Sequence, residues 1–281
     1  MPASAIYYGF GSARKILARP PVDKLEYTDD TQMMIGVAET LIQHGQIEQA
    51  ELMRRFIENF DVNRAYGAGA HQIIEHAARG GDWRSLSNSI FGGGSFGNGA
   101  AMRVAPIGLR FHDDLDRVEY EATRSAVLTH THAIAIDGAR LFAIAVAMLV
   151  RGQPFDAKTW LIDLARRAAT HEFLDAIEQA AALNQDSFAG SLGTSVESHR
   201  SVPTALACFA GSPHSYTDAV GRAIGLGGDV DTIAAMTGAL SGAYLGLPEI
   251  PTHLLSMLED ETKGRSYIDE LARRLCDAAA K

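Results

Sequence analysis

Apolar residues recur at helical spacing along nearly the whole chain. Met33, Met34, Val37, Ala38, Leu41 and Ile42 form one stripe, with Gly45 placed as its C-cap. Met53, Phe56, Ile57 and Phe60 repeat the i, i+3, i+4, i+7 pattern. The stretch from Ile134 to Val150 is apolar around most of its circumference, which predicts a helix buried at the centre of the fold. Further helices are expected near 67–78, 115–128, 155–168, 171–183, 216–226 and 265–279, with others opening near Ala100 and at Ile233. No alternation of apolar and polar positions runs long enough to build a sheet. The irregular stretches, Ile90 to Gly99, Asn184 to Arg200 and Gly225 to Gly228, are rich in Gly and Ser, and none reads as a domain linker. There is no internal repeat, so the pattern predicts one all-α domain over 1–281.

Composition narrows the classes of function. The 281 residues are 47% apolar and 21% charged, enough to bury a large core. A net charge of −9 argues against a nucleic-acid-binding surface, which needs a basic face. It leaves open a small phosphorylated ligand, because backbone amides and metal ions hold phosphate without surface lysines. Cys208 and Cys276 are the only cysteines, too few for a disulfide framework or a multi-cysteine zinc site. The apolar runs fall short of the roughly 20 residues that span a bilayer, so no membrane partner is expected. Residues Met1 to Ala5 lack the features of a signal peptide, and the expected location is cytoplasmic. A monomer is the expected state.

The candidate chemistry lies in two separated acidic clusters. Thr28-Asp29-Asp30-Thr31 stands before the first strong helix, and Asp229-Val230-Asp231-Thr232 opens a helix near the far end of the chain. Each offers carboxylate and hydroxyl oxygens only, a set that suits Mg²⁺, Mn²⁺ or Ca²⁺ rather than zinc or copper. Helix capping is the alternative, since Asp and Thr are preferred N-caps and acids complement the helix dipole. Adjacent Asp29 and Asp30 exceed what one cap needs, and they repel unless a cation neutralises them. Gly238, Gly242 and Gly246, spaced by four with Ala239 and Ala243 beside them, predict a smooth helix face. A second helix backbone packed there would carry Asp229 and Asp231 into the interior, where buried acids need a compensating partner.

A glycine loop and several histidines complete the inventory. In Phe91-Gly92-Gly93-Gly94-Ser95-Phe96-Gly97-Asn98-Gly99, backbone N–H groups can converge on an anion, and Phe91 or Phe96 can stack on a base. It is not a P-loop, because no Gly-Lys-Ser/Thr follows, and a flexible connection is the plainer reading. Thr129-His130-Thr131-His132 is not a metal motif, because residues two apart do not share a helix face. A helix-start histidine is the default there, with His130 as a phosphate contact the sharper reading. His71 and His76 read as structural, and Asp113-Asp114-Leu115-Asp116 as a helix start lacking the pattern of a calcium loop.

Together these residues resemble the ADP-ribosylglycohydrolase family, typified by the enzyme that reactivates dinitrogenase reductase. The matching segments run in order from Tyr27 onward: Thr28 to Thr31, Gly94 to Arg103, Leu128 to His130, Ser201 to Ala205, and Gly227 to Ala234. The Gly-Ser-Phe-Gly-Asn-Gly form is closer to the serine-directed branch than to the arginine-directed one. The resemblance implies an all-α orthogonal bundle around a central binuclear Mg²⁺ centre, with Mn²⁺ as the alternative ion. Thr28, Asp29, Asp30, Asp229, Asp231 and Thr232 match its metal ligands, with Asp30 and Asp231 as catalytic carboxylates. Phe91, Gly94, Ser95, Phe96, Gly97, Asn98 and His130 match positions that hold ADP-ribose. The implied partners are ADP-ribose or an ADP-ribosylated protein, and the implied reaction is attack of water at the anomeric carbon of the distal ribose.

One departure stands out. The family normally opens with a Gly-rich helix carrying a Gly-Asp pair and a following Glu. In this chain 27 residues precede Thr28, and Ile6-Tyr7-Tyr8-Gly9-Phe10-Gly11 does not reproduce that segment. Glu26 is the nearest acid but lies too close to Thr28 for the role. The expectation is a truncated start or a lost helix with its acid. The alternatives to a hydrolase are therefore a non-catalytic ADP-ribose-binding module and a structural protein on the same scaffold.

Overall fold

The computed structural model describes residues 13–152, 155–183 and 189–279. The N-terminal segment Ile6 to Gly11 and the start of the irregular stretch at Asn184 lie outside them. Fifteen α-helices run through the described residues: α1 Ala13–Ala18, α2 Asp29–His44, α3 Gln49–Asn59, α4 Ala68–Ala78, α5 Trp83–Ser89, α6 Ala105–Arg110, α7 Leu115–Ala126 and α8 Ala133–Val150. They continue with α9 Ala157–Ala165, α10 His171–Ala182, α11 Ser198–Ala210, α12 Tyr216–Leu226, α13 Val230–Leu245, α14 Thr252–Met257 and α15 Arg265–Ala279. Among the described residues there is no strand, only two isolated bridges, so the all-α expectation holds.

The centre is α8, whose all-round apolarity leaves it no face for water. Leu141, Phe142, Ala143, Ile144, Ala145, Val146 and Ala147 are fully buried, and α6, α7, α9, α10, α11 and α13 pack around them. By length and composition this helix could cross a membrane, but 67% of it is buried within the protein. Its neighbours come close because small residues let them. A side chain on Gly138 would strike Ser198 Oγ at 2.1 Å, which fixes how near α11 lies to α8.

Helix α2 buries Met33, Val37 and Leu41 in the main core and ends at Gly45, whose N–H bonds Leu41 O at 2.8 Å with φ +71°. Its other side is covered as well. Ile35 and Ala38 pack against Leu271 of α15, and buried Glu39 accepts bonds from Lys263 Nζ at 2.5 Å, Tyr267 Oη at 2.6 Å and Asn59 Nδ2 at 3.2 Å. The C-terminal helix thereby braces the helix that carries the first acidic cluster.

Several expectations need correction. The helix expected from Ala100 is a 3₁₀ turn at Asn98–Ala100, and α6 begins only at Ala105. Helix α11 starts inside a stretch expected to be irregular and continues through Pro203, which has no N–H to donate and usually marks a helix boundary. The smooth-face argument for α13 holds only at Gly238, where an added Cβ would meet Tyr216 Oη at 3.3 Å. A Cβ on Gly242 would meet nothing within 4 Å, and Gly246 is the cap, with φ +81°. The second acidic cluster accordingly sits at a cavity wall rather than in the interior, with Asp231 exposed and Asp229 half-buried.

Candidate active site

Two helix N-termini and one loop meet at a cavity of about 330 Å³. Its wall includes Asp29 from the start of α2, Asp229, Asp231 and Thr232 from the start of α13, Phe91, Ser95, Gly97, Asn98 and Gly99 from the glycine loop, and His130. The two acidic clusters, remote in sequence, thus face one space together with the loop and the histidine. Thr28 and Asp30 stand beside Asp29, off the wall, while Gly94 and Phe96 also lie outside the lining. A larger cleft of about 630 Å³, between Leu115, Trp160 and Tyr244, holds none of these residues.

The residues at the two N-cap positions do not serve as caps. Thr28 and Asp229 are the N-cap residues of α2 and α13, and neither side chain accepts a bond from the helix backbone. Thr28 Oγ1 instead donates to Asp30 Oδ2 at 2.6 Å, and Asp229 Oδ2 accepts from Asn98 Nδ2 at 2.6 Å. Asn98 Nδ2 also bonds Ser201 Oγ at 3.0 Å, which ties the second cluster to α11. By contrast, Asp114 and Asp156 on the surface cap α7 and α9 in the ordinary way.

Asp29 and Asp30 are buried, and Asp30 Oδ1 has no hydrogen-bond partner. Burial, then repulsion by Asp30 and Asp231, pushes the Asp29 carboxyl up to about 8. Burial, reinforced by Asp231 and Asp229 and opposed by the Thr28 bond, lifts Asp30 to about 6. Asp229 is raised for the same first reason, against the Asn98 bond. The positive ends of two helix dipoles offset part of this repulsion, but each dipole supplies only about half a charge. A divalent cation would supply the remainder. Among the described residues no three His, Cys, Asp or Glu side chains form a closed cluster of metal-ligand spacing. The fit to hard cations therefore rests on the all-oxygen donor set with its threonine hydroxyls, the orphaned Asp30 oxygen and the mutual repulsion.

The glycine loop is held more tightly than its composition suggests. Asn98 N–H bonds Val196 O at 2.9 Å and Ser198 N–H bonds Phe96 O at 3.0 Å, a short antiparallel bridge to the start of α11. The N–H groups of Gly93 and Gly94 go to Ile90 O, and that of Gly97 goes to Ser95 Oγ. The expected convergence of glycine amides on an anion is therefore narrower. Ser95, Phe96 and Gly99 are among the loop residues whose N–H groups keep no bond among the described residues. Phe91, at φ +56° and 67% exposed, stands at the mouth with a face available for stacking, whereas Phe96 meets His132 edge-on. His132 is the helix-start histidine, accepting from Ile134 N–H. His130 is buried and lies in the wall.

Sequence reasoning missed the supports. Ala65, Gly67 to Ala70, Met102 and Val196 also line the cavity. Arg103, fully buried with no carboxylate partner among the described residues, lies beneath the loop and bonds Gly99 O at 3.1 Å. A single arginine in the apolar run Ala100 to Ala105 was the available signal. Gly228, at φ +77°, lets the chain pass Thr194, whose carbonyl oxygen a Cβ would meet at 2.2 Å. Tyr27, just before the first cluster, is clamped at both ends of its residue. Its N–H bonds Glu259 Oε1 at 2.9 Å and its carbonyl accepts from Arg64 Nη1 at 2.8 Å, while Arg64 and Glu259 pair with each other. Glu26 is exposed beside Lys24, away from the cavity.

The sequence profile described as ADP-ribosylglycohydrolase matches residues 3–281. The chain belongs to the ADP-ribosylglycohydrolase family. By that membership it is an ADP-ribosyl hydrolase. ADP-ribosylhydrolase ARH3 of Danio rerio is similar at 32% identity, over 90% of this chain and 78% of its own length. An uncharacterized protein of Archaeoglobus fulgidus is 34% identical over 95% of this chain and 86% of its own. A solved structure titled ADP-ribosylglycohydrolase-related protein complex superposes with a TM-score of 0.69 at 26% identity, covering 90% of this chain and 81% of that one. This family member thus has the all-α fold its helical periodicity predicts.

Proposed function

We propose that this ADP-ribosylglycohydrolase is a metal-dependent enzyme that releases ADP-ribose from a protein side chain, with serine-linked ADP-ribose as the preferred substrate. The observation that carries this is the pairing of two uncapped acidic helix starts across one cavity, facing a loop and a histidine suited to a diphosphate. The serine preference rests on the Gly94-to-Gly99 form of the loop and on the similarity to proteins named ADP-ribosylhydrolase ARH3.

Thr28, Asp29, Asp30, Asp229, Asp231 and Thr232 would hold two Mg²⁺ ions, or Mn²⁺ in their place. When bound, the ions supply Lewis-acid polarisation at the distal ribose and its attacking water. The chain's own residues do the remainder. Asp231, the exposed acid of the wall, accepts the proton from water, and the departing serine oxygen takes its proton from solvent at the open mouth. Asn98 fixes Asp229 so that its carboxylate keeps one orientation. The acidic wall opposes the positive charge that builds at the anomeric carbon as the glycosidic bond lengthens. The Ser95 amide and His130 hold the diphosphate, which sets the sugar in place. A cavity of about 330 Å³ is at the small end for ligand sites. It takes the ribose and diphosphate, and leaves the adenine to stack on exposed Phe91 at the mouth.

Replacing Asp231 by Asn tests this assignment. Release of ADP-ribose from a serine-linked peptide is expected to fall by about 100-fold or more, the usual contribution of a positioned base, with the thermal transition kept. Unchanged release would overturn the assignment. A second reading, an ADP-ribose-binding module without turnover, is favoured by one observation: among the described residues no glutamate lines the cavity. Tight ADP-ribose binding with no release under saturating Mg²⁺ would select it.

A further inference from the structure

The two ring nitrogens of His130 face different surroundings. Nδ1 lies 2.7 Å from Thr129 Oγ1, and the same hydroxyl oxygen lies 2.8 Å from Arg103 Nη1. A guanidinium has only donors, so Thr129 Oγ1 accepts from Arg103. Thr129 is fully buried, and its hydroxyl has no other partner among the described residues. Its hydrogen has one acceptor within reach, His130 Nδ1, and a buried hydroxyl hydrogen left without an acceptor carries the full desolvation penalty. An Nδ1 that accepts is unprotonated, so the ring proton sits on Nε2. That nitrogen has no partner among the described residues. It lies at the cavity wall beneath the glycine loop, where a Cβ on Gly99 would come within 3.1 Å of it and one on Gly97 within 3.5 Å.

We propose that Arg103 and Thr129 are positioning residues that lock His130 as the neutral Nε2–H tautomer and aim that N–H at an anionic oxygen of the ligand. Only the identity of the oxygen, a diphosphate oxygen of ADP-ribose, rests on the function proposed above. The opposite tautomer would leave the Thr129 hydrogen orphaned and turn the Nε2 lone pair toward an anion. Burial and the nearby Arg103 charge hold the ring down to about 3, so it stays uncharged across the working range. A neutral donor suits this wall, because an imidazolium would be drawn to the carboxylates instead of the ligand. Arg103 has a second task in the same arrangement. It bonds Gly99 O at 3.1 Å and Ser125 O at 2.6 Å, so one buried cation sets both the loop and the ring.

The test is nitrogen-15 NMR of histidine-labelled protein, with the His130 signals assigned by their loss in His130→Gln. The wild type is expected to show His130 protonated at Nε2 and bare at Nδ1, unchanged from about pH 5 to about pH 8. Thr129→Val removes the hydroxyl and should mix or invert the tautomers. It should also weaken ADP-ribose binding by about tenfold, the worth of one hydrogen bond to a charged group. Thr129→Ser should restore both readouts. A wild-type ring protonated at Nδ1 overturns the proposal whatever the variants do, and so does an unaltered His130 spectrum in folded Thr129→Val. An intact Nε2–H tautomer in a protein that does not bind ADP-ribose would uphold the lock and refute the ligand assigned to it.

Discussion

Replacing Asp30 by Asn should stabilise the metal-free protein. Asp30 is 2% exposed, one of its oxygens has no partner, and burial lifts its carboxyl from an ordinary 3.8 to about 6. Because the folded state holds this proton more tightly than the unfolded one, its contribution favours the fold below about pH 4. That contribution is lost as pH rises through about 6. The shift is roughly two units at about 1.4 kcal/mol each, so the ionised carboxylate costs the fold about 3 kcal/mol by about pH 8. Asparagine keeps an oxygen for the Thr28 hydroxyl and removes the charge. At roughly 2–4 °C per kcal/mol, the melting temperature in chelator at about pH 8 should rise by about 6–12 °C. At about pH 3 the gain should largely vanish, because the wild-type carboxyl is then mostly protonated in both states. Mg²⁺ should raise the melting temperature of the wild type, through its preference for the folded state, and raise that of the variant far less. Differential scanning fluorimetry over pH, with and without Mg²⁺, reads all of this. A variant less stable than wild type in chelator at about pH 8, or one that gains as much from Mg²⁺, would refute the reasoning.

Other outcomes follow from the same geometry. Gly228→Ala places a Cβ 2.2 Å from Thr194 O at φ +77°, a clash added to the roughly 1–2 kcal/mol of a left-handed alanine. Thermal unfolding should show a loss of about 2 kcal/mol or more, and Mn²⁺ titration should show weakened binding, because Asp229 is the next residue. Glu259→Gln breaks the pair with Arg64 that holds Tyr27, and urea unfolding should show a loss of about 3 kcal/mol. The Arg64 guanidinium holds the Glu259 carboxyl below its usual range. This stabilisation is therefore present at neutral pH and fades as pH falls below the ordinary carboxylate range, an acid dependence the variant should lack.

Much of the fold was legible because most helices show their period openly. Helix α8 is apolar all round, and the α2 stripe ends on a glycine that supplies the left-handed cap. Helix α11 was not legible, because Pro203 and a Ser-rich start suppress the local signal and packing against Gly138 supplies the stability instead. The glycine face of α13 was misread because spacing alone does not say whether a neighbour arrives, and Gly242 faces open space. At the site, the acids, loop and His130 could be named from the chain, since their residue types are unusual together. Their supports could not. Asn98 and Ser201 meet from residues far apart in sequence. The Arg103–Thr129–His130 relay depends on which atoms of neighbouring side chains touch. The glycine amides illustrate the limit in the other direction, because composition offered more donors than the folded loop leaves free.

The central claim is metal-dependent release of ADP-ribose by this chain. The most direct measurement is ADP-ribose freed from serine-linked peptide, arginine-linked peptide and O-acetyl-ADP-ribose, each with Mg²⁺ and with chelator. The account predicts release that chelator abolishes and Mg²⁺ restores, fastest on the serine linkage. Release that persists in chelator, or none from any substrate by folded, Mg²⁺-supplied protein, would contradict it.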